Sequence, residues 1–61
     1  MNTLEELLAT YSTYNSIILI IGQHEIMIDL DKQGSYTIIK AFKHEKFSYI
    51  GSRSGSLLLK H

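Results

Sequence analysis

Apolar positions change their spacing at Ser16. Before it, Leu4, Leu7, Leu8 and Tyr11 recur at i, i+3, i+4 and i+7, which places them on one stripe of a helix. Thr3-Leu4-Glu5-Glu6 reads as the start of that helix. Thr3 is positioned to accept from the Glu6 amide while the Glu6 carboxylate reaches back to the Thr3 amide, a capping box, and two acidic residues suit the positive end of the helix dipole. The run Ser12-Thr13-Tyr14-Asn15-Ser16 favours turns over helix. The spacing therefore predicts a short amphipathic helix over about residues 3–12.

From Ser16 on, apolar runs are separated by turn residues. The first run, Ile17-Ile18-Leu19-Ile20-Ile21, is five consecutive large aliphatics, four of them β-branched, closed by Gly22. Asp31-Lys32-Gln33-Gly34-Ser35 and Ser52-Arg53-Ser54-Gly55-Ser56 share one form, a polar triplet ending in Gly-Ser, and predict three-residue hairpin loops with glycine in the left-handed position. Gly22-Gln23-His24 and Lys43-His44-Glu45-Lys46 separate the other runs. Strands are expected at about 16–21, 25–31, 35–42, 47–52 and 56–60. The predicted fold is α+β, a single domain over residues 1–61 with the N-terminal helix on a five-stranded antiparallel meander. Two alternatives are a second helix near residues 36–44, where Tyr36, Ile39 and Lys43 or Ile38, Phe42 and Glu45 also show helical spacing, and closure into a small barrel.

Loop length sets the expected register. Pairing Ile21 with Glu25 places Ile20 beside Ile26 and Ile18 beside Ile28, and pairing Ser52 with Ser56 places Tyr49 opposite Leu59. One face then gathers Ile18, Ile20, Ile26, Ile28, Leu30, Tyr36, Ile38, Phe42, Phe47, Tyr49, Leu57 and Leu59, with the helix as its cover. The opposite face receives Ile17, Leu19, Ile21, Met27, Ile39, Ile50 and Leu58. A solvated sheet face is normally polar. Those seven residues are therefore the expected protein interface, and the Ile17–Ile21 strand, at the end of the meander, the expected free edge.

Composition sharpens this. A chain of 61 residues buries only about 60% of the surface its unfolded form exposes, so its stability is marginal. It has no cysteine to form disulfides or thiolate metal sites. Oligomerisation is the remaining common support, with a dimer favoured. No stretch approaches a membrane span, and the acidic N-terminus does not read as a signal peptide, so a cytoplasmic protein without membrane contact is expected.

The zero net charge hides a division. Residues 1–31 carry Glu5, Glu6, Glu25, Asp29 and Asp31 and no Lys or Arg. Residues 32–61 carry Lys32, Lys40, Lys43, Lys46, Arg53 and Lys60 against Glu45 alone. Opposite signs on neighbouring strands stabilise a sheet, and a basic half beside Tyr36, Phe42, Phe47 and Tyr49 also fits nucleic acid. Lys40, Lys43, Lys46 and Arg53 would be the contacts in that case.

Candidate chemistry is sparse. His24-Glu25 and His44-Glu45 both fall in turns, about 10 Å apart in a meander, without the spacing of a metal motif. Gly51-Ser52-Arg53-Ser54-Gly55 leads into a strand, whereas a phosphate loop opens a helix. No catalytic residue, metal ligand or cofactor site is expected. The sequence points to a small non-enzymatic interaction module that self-associates or binds a protein partner, acting as a regulator or inhibitor, with nucleic-acid binding as the alternative.

Overall fold

The computed structural model describes all residues from Met1 to His61. Its elements in chain order are β1 (Asn2–Thr3), α1 (Leu4–Thr10), β2 (Ser16–Ile21), β3 (His24–Asp29), α2 (Ser35–Phe42), β4 (Lys46–Arg53) and β5 (Ser56–Lys60). The fold is α+β. The five-stranded sheet is mixed, in the order β1-β4-β5-β2-β3, with β2 and β5 parallel and every other pair antiparallel. The expected antiparallel meander is thus corrected. Residues 35–42 form a helix instead of a strand, and β5 inserts beside β2.

The expected capping box is present. The Thr3 amide donates to Glu6 Oε1 at 2.9 Å, and the Glu6 amide donates to Thr3 Oγ1 at 3.1 Å. The amides of Leu4 and Glu5 donate instead to the carbonyls of Glu45 and Lys43, each at 3.0 Å, which ties the start of α1 to the turn between α2 and β4. Leu4 and Leu7 are buried, and Leu8 and Tyr11 pack against the same core. Tyr11 ends the helix and stacks on Tyr49, with ring centroids 4.7 Å apart.

Helix α2 follows the second pattern noted above, with Ile39 and Phe42 against the core while Tyr36 and Ile38 remain exposed. None of its residues is fully buried, and Gly34 at its start supplies no side-chain cap. Its helical state is therefore supported by docking onto the sheet more than by local signals.

Both helices cover one face, and strand order explains why. The pairings make β1 parallel to β2 and β3 parallel to β4, so α1 and α2 each lie in a parallel crossover. Such crossovers are right-handed in about 98% of cases. These two run in opposite directions between strands of opposite sense, and two right-handed crossovers so arranged land on the same side. Leu4, Leu7, Ile17, Leu19, Ile28, Phe47, Leu57 and Leu59 form the core beneath them.

Strand β2 is central, not an edge. It is hydrogen-bonded to β5 on one side and β3 on the other. Its residues Ile17, Ile18 and Leu19 are buried on both faces of the sheet, which accounts for aliphatics without alternation. Its faces are also the reverse of the expected ones. Ile21 pairs with His24 across a two-residue turn, Gly22-Gln23, so Ile17 sits opposite Ile28 and Leu19 opposite Ile26. Gly22 has φ +62°, the first position of a type II′ turn. Shortening the loop by one residue inverts the strand: Ile17 and Leu19 are fully buried under the helices, with Ile21 beside them, and Ile18 and Ile20 face away.

The β4–β5 hairpin also has a two-residue turn, Ser54-Gly55, both at positive φ as in type I′. Arg53 pairs with Ser56 and Ser52 with Leu57, not Ser52 with Ser56. A bulge at Ile50 absorbs the difference, so Tyr49 still lies opposite Leu59 as expected.

Candidate interaction face of the sheet

The second face of the sheet carries no helix. Because neighbouring residues in paired strands share a face, three rows can be read across β3, β2, β5 and β4. The first is Glu25, Ile20, Lys60 and Ser48. The middle row is Met27, Ile18, Leu58 and Gly51. The third is Asp29, Ser16, Ser56 and Arg53, in which the hydroxyls of Ser16 and Ser56 lie 2.7 Å apart. The face thus has an apolar centre, carboxylates on β3, and basic groups on β5 and β4.

One ion pair crosses it. Arg53 Nη1 and Nη2 donate to Glu25 Oε1 and Oε2 at 2.9 and 3.3 Å. These residues stand on β4 and β3, three strand spacings or roughly 14 Å apart across the sheet, and on opposite end rows. Their side chains therefore strap the face diagonally, from the first row of β3 to the third row of β4. Ile18 is only 4% exposed although no helix covers it, whereas Met27, at the margin, is 70% exposed. The guanidinium holds the Glu25 carboxyl below its ordinary value, through its hydrogen bonds first and its charge second. The carboxylate in turn raises Arg53.

The expected interface residues divide between the two faces. Met27 and Leu58 lie on the open face. Ile17, Leu19, Ile21 and Ile39 belong to the helix-covered side, for the register and helix reasons given above. Ile50 is the half-exposed bulge residue on β4. Sequence patterning did not place Ile18 and Ile20 on the open face, since either parity of the β2 run buries an aliphatic row. The Glu25–Arg53 pair, 28 residues apart, left no local signal.

The basic residues do not converge. Lys40 and Lys43 line a groove of about 220 Å³ between the helices with Glu5, Leu8, Tyr36 and Ile39. Lys46 is at the start of β4 opposite Thr3, and Arg53, at its other end, is engaged by Glu25. Of the aromatic residues expected beside them, Tyr36 is exposed in the same groove as Lys40 and Lys43, whereas Phe47 is buried, Phe42 packs against the core and Tyr49 stacks on Tyr11.

His24 opens β3 and His44 lies just before β4, strands that the sheet order sets three spacings apart, not the two of a meander. No three His, Asp or Glu side chains cluster closely enough to hold a metal ion. No helix is long and apolar enough to cross a membrane. The chain matches no protein-family model, no curated protein and no solved structure.

Proposed function

We propose that this protein is a non-enzymatic interaction module of the cytoplasm that self-associates through its open sheet face and regulates or inhibits by occupying a protein surface. The observation behind this reading is the apolar centre of that face, Ile18, Ile20, Met27 and Leu58, on the side to which neither helix returns. In a two-layer domain such a face buries its apolar row against something. A second copy is the occupant most consistent with a chain whose own core is small.

The nucleic-acid reading has less support, because only Lys40 and Lys43 share a surface, with Tyr36 between the helices, while Lys46 and Arg53 stand at opposite ends of β4 and Phe42, Phe47 and Tyr49 are packed or stacked. Sedimentation velocity over a range of micromolar concentrations tests the main reading. The expected result is a mass that rises from one chain towards two, with Met27→Glu remaining a monomer of unchanged circular dichroism. A wild-type monomer throughout would refute self-association. Salt-sensitive binding to oligonucleotides would move the function to the alternative.

A further inference from the structure

Resting on the self-association reading, we propose that two copies stack open face to open face about a two-fold axis parallel to the strands. In doing so they exchange each internal Glu25–Arg53 pair for contacts of Glu25 with Lys60, and of Asp29 with Arg53, between copies. The argument comes from how charge and size are distributed on the face. Acidic groups stand on β3, at Glu25 and Asp29; basic groups stand on β5 and β4, at Lys60 and Arg53.

An axis along the strands, centred between β2 and β5, sets β3 of one copy over β4 of the other and β2 over β5. Each row then faces its own counterpart. Asp29 comes over Arg53, Glu25 comes over Ser48, and Lys60 comes over Ile20, its stem on the aliphatic side chain and its ammonium one strand spacing from Glu25. Ile18 comes over Leu58. Met27, the most exposed side chain of the middle row, comes over Gly51, where a Cβ would meet nothing within 4 Å. A projecting side chain thus meets a position that has none.

The other face-to-face two-fold, perpendicular to the strands, sets β3 on β3 and Glu25 over Asp29. It confronts carboxylates with carboxylates, and like charges across an interface are strongly disfavoured. Both axes keep the stacked strands aligned within about 30°, as in sandwiches, so the charges decide between them. A two-fold interface is also self-complementary and closes at two copies.

The strap does not prevent this arrangement. Both its members are about half exposed, and an ion pair in water is easily opened. Four contacts between copies replace two within them. The same two residues thus pair across the face when it is alone and would join it to the second copy when it is paired.

The chain has no cysteine, so single cysteines report on the geometry without background. Asp29→Cys and Arg53→Cys are prepared separately, mixed and oxidised at a concentration where wild type is dimeric. The expected product is the mixed cross-linked dimer, with little self-cross-linking of either variant, and Met27→Cys does not cross-link to itself. Charge reversal is the second measurement. Glu25→Lys with Asp29→Lys, and Arg53→Glu with Lys60→Glu, each weaken self-association by on the order of a hundredfold, and a mixture of the two restores a dimer. A wild-type chain that stays monomeric removes the self-association reading itself. A wild-type dimer in which Met27→Cys links to itself, or in which neither mixture forms a mixed dimer, keeps that reading and overturns this geometry.

Discussion

Arg53 and Glu25 stand on strands with two others between them, yet they form a bidentate pair at 2.9 and 3.3 Å across the helix-free face. The contact links the acidic and basic halves of the chain across the two strands, β5 and β2, that separate them.

The pair makes stability depend on acid. Glu25 titrates below its ordinary 4.5 in the folded chain because of Arg53, and Glu6 does so because of its hydrogen bonds with Thr3. A carboxyl depressed on folding contributes stability that is complete above the unfolded value and lost as pH falls through the folded one. Urea midpoints measured between about pH 5 and pH 2 are expected to fall, and to fall less steeply for Glu25→Gln than for wild type. Equal slopes would show that the strap does not persist in solution.

Removing the helix cap has a defined cost. Thr3 accepts from the Glu6 amide at 3.1 Å, and Thr3→Ala leaves that amide without its partner. The expected loss is about 1 kcal/mol, read as a lower thermal midpoint. Thr3→Ser, which keeps the hydroxyl, should recover most of it.

The orientation of β2 can be read from two adjacent residues. Leu19 is fully buried under the helices, and Ile20 is partly exposed on the open face. Leu19→Ala should cost about 2–5 kcal/mol, comparable with the roughly 3–9 kcal/mol available to a chain of this size. Ile20→Ala should cost much less. The reverse order would restore the register expected from a three-residue turn.

The β4–β5 turn is open to improvement. Ser54 is the only non-glycine residue with positive φ, at 51°, and it precedes Gly55 at 83°. Asn tolerates this conformation better, and Asn-Gly is a preferred type I′ pair. Ser54→Asn should raise stability by about 0.5 kcal/mol, measured as a shift in denaturation midpoint with unchanged spectra.

Local chemistry made α1 legible. The capping box, the stripe of Leu4, Leu7, Leu8 and Tyr11 and the stop after it all act within one or two turns of chain. Four of the five predicted strands were readable for a similar reason, since each is an apolar run bounded by turn residues. The stretch 35–42 was not decided by its residues alone. Its apolar positions satisfy both periods, and docking Ile39 and Phe42 against the core selects the helix.

The candidate face depended still more on long-range structure. Five aliphatics in a row bury well with either parity, so Ile17–Ile21 carried no information about which side faced the helices. That choice passed to Gly22-Gln23, a turn whose length is set by the strands that close it. The sequence by itself determined that this chain is a small α+β unit with more apolar sheet than one helix could cover, because composition and spacing act locally. Only the tertiary structure decided that β5 enters beside β2, that both helices fall on one side, and that Glu25 meets Arg53 on the other. Those outcomes come from strand order and crossover hand, which join residues too far apart in the chain for any local pattern to connect.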